Sequence, residues 1–391
     1  MMPLANHYAP SCGQEMPRFP LHLFVCETCL LAQLNYIHNP ARLFTHYPYF
    51  SSYSTSWVDH ARSFADLVLR RFFSKTAPSV IEIASNDGYL LQHFKGKAAS
   101  ILGIEPAVNI AKEAQAKGIP TQAVFLGEKE AQKIYSAQGQ ADLLIANNVL
   151  AHVPDLHDFV LGLKQLLAPE GILTVECPHL LSLLKDKEFD TIYHEHVSYF
   201  SLLFLKKLFA KYDLALFDVE KLSTHGGSLR LYIQHKEKRR LAEPRVFSFL
   251  QEEVDFGLEK PATYTAYGRH IDALKKNIFS LLSCLKKEGK TVVGYGAPAK
   301  GTTLLNACEI TADLLPLTVD RNPHKQGKFL PGTAIPIAAP SEIARLKPDY
   351  LLLLPWNLKK EIICQMQEIG QWGGKFILPI PHPHILDSPN Y

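Results

Sequence analysis

The segment Val80-Ile81-Glu82-Ile83-Ala84-Ser85-Asn86-Asp87-Gly88-Tyr89-Leu90-Leu91 is a β-branched run that breaks into small polar residues and resumes as an apolar helix start. It reads as strand, tight loop and helix N-terminus. A second apolar run, Ser100-Ile101-Leu102-Gly103-Ile104, ends in Glu105-Pro106, and a third, Ala141 to Ala146, gives way to Asn147-Asn148-Val149-Leu150-Ala151-His152-Val153-Pro154-Asp155. Gly171-Ile172-Leu173-Thr174-Val175-Glu176 is a further core strand. Short apolar runs alternating with helical patterns require a mostly parallel sheet covered on both faces, so the fold class is a doubly wound, Rossmann-like α/β domain.

The loop after the first strand lets backbone amides approach a ligand closely. Only Gly88 remains of the usual glycine pattern, with Ala84 and Asn86 in the other places. Glu105 follows Glu82 at close to the spacing of about 20 residues at which an acid after the second strand holds ribose hydroxyls. The candidate cofactor residues are Glu82, Ala84, Ser85, Asn86, Gly88, Glu105 and Pro106. Asn147 and Asn148 join them, because ligands of open α/β sheets sit outside the carboxyl ends of the strands. A plain turn in any doubly wound domain is the competing reading.

Ile192-Tyr193-His194-Glu195-His196-Val197-Ser198-Tyr199-Phe200-Ser201 packs two imidazoles, a carboxylate and three aromatic rings into one segment. An imidazole held by a carboxylate and a phenol is suited to abstract a proton near neutral pH. A polar surface turn is the bland alternative. The two histidines lack the i, i+4 spacing of a helical zinc-protease motif, which argues against a metallohydrolase.

At 391 residues the chain exceeds what one hydrophobic core supports, so more than one domain is expected. Residues 1–56 form a small irregular module rich in Pro, His and Cys, and 57–240 carry the strand–helix series, opened by a helix from Trp57 to Phe73. Residues 241–288 are a helical bridge whose Ile271, Leu274, Ile278, Leu281, Leu282 and Leu285 recur at helical spacing and are expected to pack on the next domain. Residues 289–391 begin a second strand–loop–helix series at Thr291-Val292-Val293-Gly294-Tyr295-Gly296. The 41 Lys and Arg against 38 Asp and Glu leave a formal charge of +3, so nucleic-acid and membrane-surface binding get no support. The basic run 236–240 reads as a solvated hairpin or linker. No apolar stretch nears the roughly 20 residues of a membrane span and no leader pattern opens the chain, so a soluble, cytoplasmic monomer is expected.

The seven cysteines are odd in number and scattered, which argues against a disulfide framework. Cys26-Glu27-Thr28-Cys29 supplies half of a tetrahedral zinc site, no second such pair is present, and Cys12 with His7 or His22 could complete a makeshift one. In the second α/β unit Gly296 opens a glycine-rich loop that can bind anions. Its spacing to Gly301 departs from the dinucleotide fingerprint, which argues against an independent NAD site.

Taken together, Glu82 to Gly88, Glu105-Pro106, Asn147 to Pro154 and Tyr193 to His196 resemble the S-adenosylmethionine-dependent C-methyltransferases of nucleotide-linked keto-deoxysugars. The resemblance extends to 47–52 (Tyr-Pro-Tyr-Phe-Ser-Ser) and to 294–301. It implies that S-adenosylmethionine is the cofactor and a nucleotide-linked keto-deoxysugar the substrate. It further implies His196 as base, Glu195 and Tyr193 as its orienting groups, His152 as donor to the enolate oxygen or proton relay, and Tyr47 as closing the methyl-transfer pocket. His196 and His152 exchange roles in the competing assignment. The C-terminal unit is implied to hold the sugar nucleotide, through Gly296, Lys300, Thr302 or Thr303, and Asn306, with Thr224-His225-Gly226-Gly227 as a hairpin touching substrate or a structural turn. In the resembled family a first Cys-x-x-Cys precedes a segment similar to Pro3-Leu4-Ala5-Asn6, so the N-terminal module is expected to be a truncated zinc knuckle. A non-catalytic sugar-nucleotide binding or assembly protein and an NAD-dependent keto-sugar oxidoreductase are the alternatives.

Overall fold

The computed structural model describes all residues except Pro48, Arg239 and 388–391, so those members of the 47–52 segment and of the basic run lie outside the described residues. The central sheet contains β1 (Ser79–Ile83), β2 (Ser100–Ile104), β3 (Thr121–Gln122), β4 (Ala141–Asn147), β5 (Leu167–Pro178), β6 (Leu214–Leu222) and β7 (Ser228–His235). Their spatial order is β6-β7-β5-β4-β1-β2-β3. The first five strands pair in parallel, while β7 runs antiparallel between β5 and β6. Val80 to Ile83 are all buried because helices cover both faces, which is why β1 lacks polar alternation.

One cover is the helix Thr55–Phe72, capped by the Ser54 side chain and burying Ala61, Phe64, Ala65 and Val68. On the other face the helix Leu156–Leu166 starts at Asp155, whose carboxylate accepts from the amides of His157 and Asp158, both at 3.0 Å. The strand order reverses between β1 and β4, so the loop after Ile83 and the segment after Asn147 lie side by side at one end of the sheet. That crevice is the switch point at which such sheets bind ligands.

The N-terminal module is built into this site. Leu23–Val25 and Ala32–Leu34 form an antiparallel pair that is extended by Ser198–Tyr199, the residues just past the His-Glu-His motif. Val197 then donates its amide to Ala151 O at 2.7 Å, and Leu34 donates to Val197 O at 2.9 Å. The motif is thereby sandwiched between module and central domain.

The C-terminal unit has a second sheet, with β8 (Val292–Tyr295), β9 (Thr318–Val319), β10 (Ile337–Ala338), β11 (Tyr350–Leu353), β12 (Lys375–Leu378) and β13 (His384–Leu386) in the order β10-β9-β8-β11-β12-β13. All neighbours are parallel except the last pair. The bridge helix Pro261–Lys287 buries Ile271, Leu274, Ile278, Leu282 and Leu285 in that unit's core, while Leu281 packs at its margin. Phe189, only a few residues before the His-Glu-His motif, is buried in the same core. Among the described residues no helix is long and apolar enough to cross a membrane.

Glu253, on the helix Pro244–Phe256, ties the bridge to the central domain. Its fully buried carboxylate accepts from the amides of Leu202 (2.6 Å) and Leu203 (2.8 Å), which open the helix Leu202–Ala210, and lies 2.7 Å from His179 Nε2. Removing it leaves three donors without an acceptor in the core. Glu253→Ala is expected to destabilise the protein by about 3–5 kcal/mol, read from the urea midpoint. A change within about 0.5 kcal/mol would show that the clamp is dispensable.

Candidate active site

The loop after β1 is shaped by backbone conformation. Ala84 (φ 55°), Asn86 (φ 49°) and Gly88 (φ 79°) all lie in the left-handed region. At Gly88 a side chain would meet Ile119 Cγ1 at 2.7 Å, so that position needs glycine for space as well as for φ. Glu105 holds the loop open: one carboxylate oxygen accepts from Asn86 N (3.0 Å) and the other from Ala107 N (2.8 Å). Burial raises its pKa to about 7 against those two amides. Glu82 is buried beside it and pushed well above the usual carboxylate range by burial, then by the charges of Glu105 and Asp87.

Several polar atoms here are buried without a partner, namely Glu82 Oε2, Ser85 Oγ, Asp87 Oδ1, Asn147 Oδ1 and both side-chain heteroatoms of Asn148. Unmatched buried polar atoms cost about 1–3 kcal/mol each, and a polyhydroxylated, amine-bearing cofactor is a ligand that can match them. These residues therefore fit the adenosine and amino-acid parts of S-adenosylmethionine. Pro106 follows Glu105 at the start of the same turn. The Asn86 side chain instead holds the preceding segment: its Oδ1 accepts from Ser51 N (2.8 Å) and its Nδ2 donates to Tyr49 O (3.3 Å). Asn109 does the same for Tyr47, accepting from its amide (3.1 Å) and donating to its carbonyl (2.9 Å).

The result is that Tyr47 reaches the motif. Its hydroxyl donates to Glu195 Oε2 at 2.8 Å, while Asn6 Nδ2 donates to Glu195 Oε1 at 2.7 Å. Glu195 is buried, and its pKa is raised by burial and drawn back by these two donors. Asn6 carried no signal in the sequence beyond its place in the N-terminal segment.

Tautomers follow from carbonyl partners, which can only accept. His196 Nδ1 lies 3.1 Å from Thr191 O, so Nδ1 carries the hydrogen and Nε2 accepts from the Tyr193 hydroxyl at 3.0 Å. His152 Nδ1 lies 2.8 Å from Glu195 O, which leaves its Nε2 as a lone pair. Neutral His152 thus has no Nε2 hydrogen to give an oxygen, and the donor expected of it must come from elsewhere. The His152 and His196 rings meet edge to face at 4.8 Å. Burial pushes His152 down to about 4 and His196 well below 6.5, with the neighbouring His152 adding to the latter. Both are uncharged at neutral pH. The middle histidine, His194, turns away to Pro20 O (3.1 Å) and packs on His38.

His225 sits in a left-handed turn (φ 55°) with its ring 5.1 Å from Trp57, and burial lowers it to about 4. Trp57 stacks in turn on His60, which lies 3.0 Å from the buried Glu176, the carboxylate that also receives Arg230 Nη2 at 3.0 Å. Lys300 reaches the same region from the C-terminal unit, its Nζ 4.7 Å above the Trp356 ring. The other residues expected on that unit stand apart. The Thr302 hydroxyl donates to Ala5 O (3.0 Å) and Asn306 Nδ2 to Thr302 O and Pro331 O (both 2.9 Å), so their polar groups fasten the protein to itself. The Gly296 amide donates to Val319 O (2.6 Å) and the Ala297 amide to Asp320 Oδ2 (2.7 Å), which leaves that loop with few amides for an anion or for NAD. Tyr8 OH closes the loop from outside, donating to Ala297 O at 2.7 Å.

All seven cysteines are free. Cys26 and Cys29 share the turn between Leu23–Val25 and Ala32–Leu34, but among the described residues no three His, Cys, Asp or Glu side chains converge as a metal site. Cys12, His7 and His22 do not complete it, and the donors present do not fit four-coordinate zinc.

Comparison with known proteins decides the family. The chain is 37% identical over 370 residues, 95% of its length and 88% of the relative's, to the C-methyltransferase NovU of Streptomyces niveus. It belongs to the C-methyltransferase family. Residues 56–219 match the model of a methyltransferase domain, 223–381 that of a C-methyltransferase C-terminal domain, and 1–44 that of a zinc binding domain. Similar solved structures include magnesium protoporphyrin IX methyltransferase of Synechocystis PCC 6803 with bound SAM (15% identity, 45% of this chain and 78% of that one, TM-score 0.35). The N-methyltransferase NodS of Bradyrhizobium japonicum is similar at 15% identity (45% and 96%, TM-score 0.35). This C-methyltransferase uses S-adenosylmethionine as methyl donor.

Two outcomes follow for the enzyme. Glu105→Ala releases the Asn86 and Ala107 amides that shape the cofactor loop, and should weaken S-adenosylmethionine by about 1–3 kcal/mol in calorimetric titration. Unchanged affinity with an intact fold would remove Glu105 from the site. Asn6→Leu removes a donor from ionised Glu195, so the carboxyl pKa rises further and the acid limb of the kcat profile should move to higher pH. An unmoved limb would separate Asn6 from the ionisation of Glu195.

Proposed function

We propose that this enzyme methylates the carbon beside the ketone of a nucleotide-linked keto-deoxysugar, with His196 as the base. The observation that carries the reading is a pair of half-buried, neutral imidazoles packed on each other, next to a phenol and a pinned, buried carboxylate. Carbon is methylated only once it is nucleophilic, and a ketone's neighbour becomes so when a base takes its proton. Holding both reactants in line removes an entropic barrier of up to about 7–11 kcal/mol in favourable systems.

In the resting geometry the Tyr193 hydroxyl covers His196 Nε2. A ketone oxygen placed beside Tyr193 offers the phenol a better acceptor as negative charge develops, and the phenol's turn toward it bares the imidazole lone pair. His196 Nε2 then takes the α-proton, the C–H electron pair passes to the enolate oxygen, and Tyr193 donates to that oxygen. Thr191 O, accepting from Nδ1, stabilises the imidazolium that forms. S-adenosylmethionine, held at the loop after β1 that Glu105 shapes and beside Asn147 and Asn148, would supply the electrophilic methyl group for the carbon so activated, leaving as the neutral thioether. His152 and Glu195 fix the framework: one holds the Glu195 carbonyl, the other anchors Tyr47 and Asn6.

His196→Ala is expected to lower turnover by about 100- to 10,000-fold while leaving S-adenosylmethionine affinity nearly unchanged. With a non-methylating cofactor analogue, wild-type enzyme should exchange the sugar's α-proton with deuterated water and His196→Ala should not. Exchange lost in His152→Ala but kept in His196→Ala would make His152 the base.

A further inference from the structure

Beside the His-Glu-His segment, at the seam between the central domain and the C-terminal unit, three ionisable side chains each carry a buried polar atom without a hydrogen-bond partner. Glu188 is 3% exposed and its Oε1 has no hydrogen bond; Asp190 is fully buried and its Oδ1 has none. Lys300 Nζ is likewise buried and unpaired, in ion-pair contact with neither carboxylate. Trp356, itself buried, joins them, with its face under the ammonium at 4.7 Å and its Nε1 donating to Asp190 Oδ2 at 2.7 Å. The turn carrying His225 closes the other side, since a side chain on Gly226 would put its first carbon 2.1 Å from Glu188 Oε1.

We infer that Glu188, Asp190, Lys300 and Trp356 form a subsite for hydroxyl groups of the sugar ring, not for the diphosphate. Two carboxyls that need donors, one ammonium that needs an acceptor and an indole face are what a hydroxyl-bearing ring with an apolar side satisfies. A hydroxyl donates to Glu188 or Asp190 and accepts from Lys300 through the same oxygen. A phosphate there would meet both carboxyls along with the one ammonium, and its oxygens cannot donate to them. Position agrees: the ammonium is among the charges lowering His196 and His225, and Asp190 is among those raising Tyr193. The subsite rests on the keto-sugar reading above and assigns Lys300 to the ring.

The test compares two probes by calorimetric titration, thymidine or uridine diphosphate-linked 4-keto-6-deoxyglucose and the bare nucleoside diphosphate, on wild type and on Glu188→Gln, Asp190→Asn and Lys300→Met. The sugar nucleotide should bind about 5- to 100-fold more weakly to each variant, with the bare diphosphate unaffected and S-adenosylmethionine binding retained as the control for folding. Equal weakening of both probes by Lys300→Met would make Lys300 a phosphate ligand and overturn the inference, as would unchanged sugar affinity in all three. If wild type binds the bare diphosphate and gains nothing from the sugar, the subsite alone fails. If it binds neither probe, the keto-sugar reading fails and the subsite with it.

Discussion

A buried carboxylate has to find donors, and the end of the molecule that carries the His-Glu-His segment is organised around that requirement at Glu195. One oxygen takes the amide of Asn6 from the N-terminal module, the other takes the Tyr47 hydroxyl from the linking segment, and the residue's own carbonyl receives His152 from the end of β4. Three stretches far apart in sequence are therefore joined at one residue. The N-terminal strands that extend through Ser198–Tyr199 and the Val197 amide on Ala151 make the same join in the backbone. The small module is thus fastened directly to the His-Glu-His segment, whatever its cysteines do.

Burial sets the chemistry as well as the geometry. The same desolvation that raises Glu195 lowers His152 and His196, so exclusion of water supplies uncharged imidazoles without a dedicated acid partner for each. A low imidazole pKa disfavours proton uptake, and at His196 the Thr191 carbonyl behind the ring acts against that shift. The C-terminal unit contributes by closing over this region: Phe189 is anchored in its core and Trp356 reaches back to Asp190.

How much was legible in advance depended on how local the cause was. The loop residues Ala84, Asn86 and Gly88 could be read because a strand, a turn and a helix start are written within a dozen residues, and their left-handed conformations agree with a tight turn. Tyr193, Glu195 and His196 could be read from their density in one segment. Asn6, Asn109, Glu188 and Asp190 could not, since nothing near them in sequence distinguishes a side chain that binds a distant partner from one that faces water. Thr302 and Asn306 show the converse: polar residues on the helix after a glycine loop suggest an anion site from sequence, and in the fold their side chains bond the N-terminal segment and a neighbouring loop.

The sequence by itself determined two doubly wound units, their switch-point loops and the residue types of the reacting cluster, because hydrophobic period and turn chemistry act over short range. Tertiary structure alone decided which histidine nitrogen carries a hydrogen, which carboxylates are pinned and which stand unpaired. Those properties depend on the dielectric and on the atoms within about 3 Å. For Glu195 those atoms belong to Asn6 and Tyr47, which reach it only when the N-terminal module and the segment after it pack on the central domain, and Trp356 reaches Asp190 only across the seam with the C-terminal unit.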